Sequence, residues 1–221
     1  MSIAQREQTP GEEIANSAIH GVALLAAIAA VPLLLRAGNS SPVRIGSVGV
    51  FSATMVAVYL CSTLYHALPD GRGKCIAQKF DRASIYLFIA GSYTPFALGP
   101  LADDGGSALF CLVWWLAFLG VALTIFEGFS RPWHSTVLYL LMGWAVLLTA
   151  VPLVERESQS GFALLVGGGI AYTAGVAVYA LDSRVRYAHA VWHVFVVTGT
   201  TCHYLAVLKL IAPTGYALFA S

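Results

Sequence analysis

The sequence predicts an all-α, polytopic membrane protein, a single bundle of seven transmembrane helices covering residues 1–221. Three observations carry this. Hydrophobic residues make up 58% of the chain and charged residues only 10%, where a soluble domain carries about a quarter charged. Apolar runs close to the roughly 20 residues that a helix needs to cross a bilayer recur at 17–35, 45–68, 83–101, 107–126, 133–154, 161–181 and 188–212. The stretches between them are short and hold the breakers, among them Gly38-Asn39-Ser40-Ser41-Pro42, Pro69-Asp70-Gly71, Asp103-Asp104-Gly105-Gly106, Arg131-Pro132 and Ser158-Gln159-Ser160-Gly161.

The first run follows Arg6 with Glu7, Glu12 and Glu13 close by, without the positive start of a cleaved signal. It is therefore read as a retained span behind a short cytoplasmic segment, 1–16. Pro32, Pro95 and Pro152 fall inside the first, third and fifth runs, and Pro95 is expected to kink the third. In the sixth, Gly167, Ala171 and Gly175 repeat a small residue every fourth position, the pattern of close helix contact. Trp114, Trp115 and Trp133 are assigned to packing or to the membrane interface. Cys61, Cys75, Cys111 and Cys202 are scattered, which speaks for packed thiols over a disulfide framework. A net charge of +1 leaves no basic stripe for nucleic acid.

Orientation follows from the basic residues. Alternating spans put eight of the twelve Lys and Arg on the side of the N-terminus: Arg6, Arg72, Lys74, Lys79, Arg82, Arg131, Arg184 and Arg186. Arg36, Arg44, Arg156 and Lys209 fall on the other side. The excess marks the cytoplasm, so the N-terminus is expected inside a plasma (inner) membrane and the C-terminus outside.

Ionisable groups within spans are rare, and each is a functional candidate. Glu13, Asn16 and His20 are spaced three and four apart at the start of the first helix, on one face. Ser62 and His66 stand four apart at the end of the second, Asp81 at the start of the third, and His189 and His193 four apart at the start of the seventh. With alternating directions, all of these lie at the cytoplasmic end, a convergence that the basic residues fixed independently. Two His at i and i+4 can hold one metal, and a third, naturally His66, would complete a three-His site with an open fourth position. Asp81 could then hold the water bound at that open position. His203 lies about 21 Å along the helix from His189 and is assigned to packing.

These residues resemble the hemolysin III family, the bacterial branch of the progestin and adiponectin receptor family. The resemblance covers nearly the whole chain. It rests on Glu13–Asn16–His20, Ser62–x3–His66, the stretch from Asp81-Arg82-Ala83-Ser84-Ile85-Tyr86 to Gly91-Ser92-Tyr93-Thr94-Pro95, and His189–x3–His193 with His203 beyond. It implies seven helices, a cytoplasmic N-terminus and a zinc ion (Zn2+) on His66, His189 and His193, with Asp81 touching the metal-bound water and Ser62 in support; Glu13, Asn16 and His20 are candidates to surround the ligands. The wider superfamily includes alkaline ceramidases, which hydrolyse a lipid amide.

Two functions follow as expectations. One is a zinc-dependent hydrolase of lipid amides or esters, with membrane lipids as substrates. The alternative is a non-enzymatic sensor, receptor-like or cytolysis-associated protein in which zinc is structural. An ion-coupled transporter fits less well, because the polar groups gather at one end and trace no path across.

Overall fold

The computed structural model describes residues 6–38, 41–126, 132–156 and 158–211, and no strand occurs among them. Its helices are α1 (Pro10–Ala37), α2 (Pro42–Ala67), α3 (Arg72–Ala97), α4 (Ser107–Ile125), α5 (Pro132–Gly143), α6 (Ala150–Arg156), α7 (Gln159–Tyr179) and α8 (Ala188–Ile211). Five helical segments are long and apolar enough to cross a membrane: α1, α2, the segment Ala102–Ile125 that includes α4, α7 and α8. Their outer faces are apolar, with Val22 and Leu25 each 69% and Trp115 64% exposed. A protein folded in water rarely leaves so continuous an apolar exterior.

The two remaining predicted spans are helical but of different character. α3 has the length, yet its first turns carry Arg72, Lys74, Lys79, Asp81 and Arg82. The fifth is interrupted: α5 gives way to a 3₁₀ stretch, Trp144–Thr149, before α6. Pro152 lacks the N–H that would bond to the Leu148 carbonyl, which favours a break just ahead of it. Tyr93 from α3 fills the gap. Its hydroxyl lies 2.9 Å from the Met142 carbonyl and 2.6 Å from that of Gly143, and accepts from the Val146 N–H at 2.9 Å.

Local chemistry sets the helix starts. α1 begins at Pro10, ahead of the apolar run at 17–35, because Thr9 and Glu12 form a reciprocal capping box and Pro10 occupies the first turn. Ser41 and Pro42 start α2 in a similar way. Before α4, Gly105 adopts φ +84° and Gly106 lies so close to the Ala97 and Leu101 carbonyls that a Cβ would overlap both. The Asp103-Asp104-Gly105-Gly106 turn therefore needs both glycines.

Consecutive helices pack side by side, α1 on α2, α2 on α3, α3 on α4 and α7 on α8. α8 returns to pack on α1, and α5 touches α3, α4 and α7, which closes the bundle. Phe51, Met55, Tyr86, Met142 and Val207 are among its buried residues. On α7 the close contact follows Gly168, Ala171 and Gly175, all buried, in place of the expected Gly167, whose Cβ position meets nothing within 4 Å. Strict steps of four drift by about 80° over two steps at 3.6 residues per turn, whereas steps of three and four stay on one face. All four cysteines are free. Asn39, Ser40, Arg131 and the residues beyond Ile211 lie outside the described residues.

Candidate metal centre

The inward stripe of α1 runs Glu12, Asn16, His20, Ala23 and Ala27, spaced four, four, three and four and all buried. Small Ala residues let neighbouring helices approach, and the polar residues fill the end nearest Pro10. Several contacts bring other segments to that end. Lys74 of α3 pairs with Glu13 of α1 at 2.8 Å, Lys79 donates to the Ile125 carbonyl at the end of α4 at 3.4 Å, and the Tyr187 N–H ahead of α8 donates to Glu12 at 2.8 Å. The start of α1, the end of α2, the start of α3, the end of α4 and the turn between α7 and α8 thus share one end of the bundle.

His66, His189 and His193 meet there. One ring nitrogen from each lies within 4.8 Å of those of the other two. Buried His66 Nε2, His189 Nε2 and His193 Nδ1 have no hydrogen-bond partner. The other nitrogens of two of these rings are held by carboxylates: His66 Nδ1 lies 2.6 Å from Glu13 Oε2, and His189 Nδ1 lies 3.1 Å from Asp182 Oδ2. A carboxylate oxygen accepts, so a neutral ring carries its proton on Nδ1 and turns the Nε2 lone pair inward. A metal-binding histidine is commonly held in this way. Three imidazoles that bring ring nitrogens together, each with a buried nitrogen lacking a partner and two of them oriented by carboxylates, fit a metal that favours nitrogen ligands.

The other predicted residues surround this cluster. His20 stacks on His193 with ring centroids 3.7 Å apart, and neither of its ring nitrogens has a partner. Asn16 is fully buried and donates to Gln8 Oε1 at 2.6 Å. Ser62 and Asp81 are buried, and with His20 they line one end of a cavity of about 220 Å³. The Ser62 hydroxyl lies next to Asp81 without forming a well-aligned hydrogen bond. The same cavity extends between apolar side chains such as Ile85, Phe88 and Val196 to His203, which packs edge-on against Tyr172. His134 lies on α5 beside Trp133.

Three partners had no clear sign in the sequence. Asp182 and Gln8 reach the site from outside the predicted spans, and Lys74 steadies Glu13. Their common signal was modest: polar residues in connections at the end that the histidines occupy. Arg6, also outside the spans, is hydrogen-bonded to Glu12, which holds its guanidinium above its ordinary pKa.

A bundle of apolar helices with a buried trio of unpaired imidazole nitrogens at one end defines a helical membrane protein with a candidate metal centre. The family model for haemolysin-III related proteins matches residues 9–204, and the chain belongs to that family. It is 39% identical over 199 residues to the "Hemolysin-3 homolog" of Bacillus subtilis (strain 168), covering 89% of this chain and 93% of that one. It is 36% identical over 207 residues to the "Hemolysin-3" of Bacillus cereus, with 92% and 93% covered. At 28% identity over 219 residues it is also similar to the human "Monocyte to macrophage differentiation factor", covering 93% of this chain and 87% of that one.

Proposed function

We propose that the protein is a seven-span membrane hydrolase that cleaves lipid amides or esters at a zinc site on His66, His189 and His193. The observation that carries this reading is the unpaired state of three buried imidazole nitrogens beside a cavity that also exposes Ser62 and Asp81. Zinc accepts a three-His set with an open position, whereas the rival site for iron needs two His and a carboxylate. No carboxylate belongs to the ligand cluster among the described residues.

A bound zinc ion supplies Lewis acidity, which polarises a carbonyl and acidifies water. Glu13 and Asp182 hold His66 and His189 in the ligating tautomer. Asp81, at the head of the cavity, takes the proton from the attacking water and returns it to the leaving nitrogen or oxygen as the C–N or C–O bond breaks. The Ser62 hydroxyl donates to the carbonyl oxygen of the scissile bond, and the apolar walls hold the lipid chain. Lipid enters from the side and water from the end where Arg6, Arg72 and Lys74 lie. That end faces the cytoplasm of an inner membrane, with the C-terminus outside.

The test is hydrolysis of a panel of lipid amides and esters by purified protein. Asp81→Asn should keep the metal and lose about a hundred- to ten-thousand-fold in turnover, the usual share of a general base. Chelation should abolish the activity, and zinc should restore it. Metal-loaded wild type that hydrolyses nothing, together with loss of metal in Asp81→Asn, would make Asp81 a ligand and the site structural. The names of the Bacillus relatives favour a second reading of that outcome, a cytolysis-associated protein held together by zinc.

A further inference from the structure

We propose that Glu12 is a positioning residue that clamps the turn between α7 and α8, and through it sets Asp182 and His189 for metal binding. The inference rests on reading the three histidines as a metal site. Glu12 is 1% exposed, and a buried carboxylate persists only where its oxygens are well paired. Oε2 takes Arg6 Nη1 at 2.9 Å, the Thr9 N–H at 2.9 Å and the Thr9 hydroxyl at 2.8 Å. Oε1 takes Arg6 Nη2 and, at 2.8 Å, the N–H of Tyr187.

A capping box requires only the exchange with Thr9. The bond to Tyr187 crosses to the far end of the chain, two residues before His189. Tyr187 has φ +60°, a left-handed backbone that a non-glycine residue adopts at a cost. The Glu12 carboxylate accepts the N–H that this backbone presents. Gly11 lies alongside, where an added Cβ would sit 3.1 Å from the Tyr187 hydroxyl. Gln8 holds the other end of the same turn. It accepts from Asn16 at 2.6 Å and donates at 3.4 Å to Asp182 Oδ2, the oxygen that takes His189 Nδ1. Residues 6–12 therefore grip the turn at both Asp182 and Tyr187, and His189 is the next ring along.

The experiment compares full-length wild type, Glu12→Ala, Glu12→Gln and Thr9→Ala in detergent. Zinc affinity is read by competition with a chromophoric chelator, stability by Tm of the metal-free protein, and the turn by hydrogen exchange of residues 180–188. Glu12→Ala should bind zinc about 10- to 100-fold more weakly, the range for partners that orient ligands, and should exchange faster in the turn with or without zinc. Glu12→Gln still accepts from Tyr187 and should recover most of the affinity, and Thr9→Ala should lower Tm alone. Equal zinc affinity in Glu12→Ala and wild type, with Tm lowered as in Thr9→Ala, would overturn the clamp and leave a helix cap. If wild type binds no zinc, the metal reading falls and exchange alone decides: unchanged exchange overturns the clamp, faster exchange supports it. Should Glu12→Ala not fold, Gln8→Ala probes the same turn, and wild-type affinity and exchange there would count against the proposal.

Discussion

His66 and His189 each lean on a carboxylate through Nδ1, Glu13 at 2.6 Å and Asp182 at 3.1 Å. Removing Asp182 leaves the His189 ring free to turn or to change tautomer, so Asp182→Ala should weaken zinc binding about 10- to 100-fold while leaving all three ligands in place. Zinc release to a chelator checks this, and release at the wild-type rate would remove Asp182 from the site. The histidine trio and Asp81 were legible as candidates because ionisable residues inside apolar runs stand out, and the three histidines do lie together. Asp182 was not, because an acidic residue in a connecting turn looks like any solvated one. Glu12 and Glu13 were adjacent acids at a helix start, and only the packing of α1 separates them. Glu12 faces inward at 1% exposure, while Glu13, with an 18% exposed side chain, reaches across to His66.

The fifth predicted span is the element whose outcome departs most from its apolar pattern. Hydropathy alone gives one continuous run over 133–154, and Pro152 warns of a break without fixing its form. Tyr93, on another helix, shares its one hydroxyl proton between the two carbonyls and accepts the N–H around the 3₁₀ stretch, so the break depends on a residue that local sequence cannot connect to it. Tyr93→Phe would leave these buried and partly buried groups short of a partner, at a cost of about 1–3 kcal/mol. Thermal unfolding should detect the loss as a lower Tm with zinc content unchanged. A Tm equal to wild type would mean that the 3₁₀ stretch satisfies itself. α3 departs in the other direction, since its charged first turns reduce its apolarity yet carry Asp81 to the cavity.

At the scale of the whole molecule, alternating helix direction already implies that residues from four segments meet at one end, and the contacts among Glu13, Lys74, Asp182 and His189 occur there. The closure of α8 onto α1 had no sequence signal, because it depends on how the helices pack around a common centre. The proposed topology places this end in the cytoplasm. A reporter active only in the cytoplasm should therefore be silent when fused after Ser221, and strong activity would overturn the span count or the orientation. The proposed activity depends above all on zinc at this end. Elemental analysis of purified protein, wild type beside a variant with His66, His189 and His193 all replaced by Ala, tests it most directly. One zinc per wild-type chain and none in the variant is the predicted result; full zinc in the variant, or wild type loaded with iron and free of zinc, would contradict it.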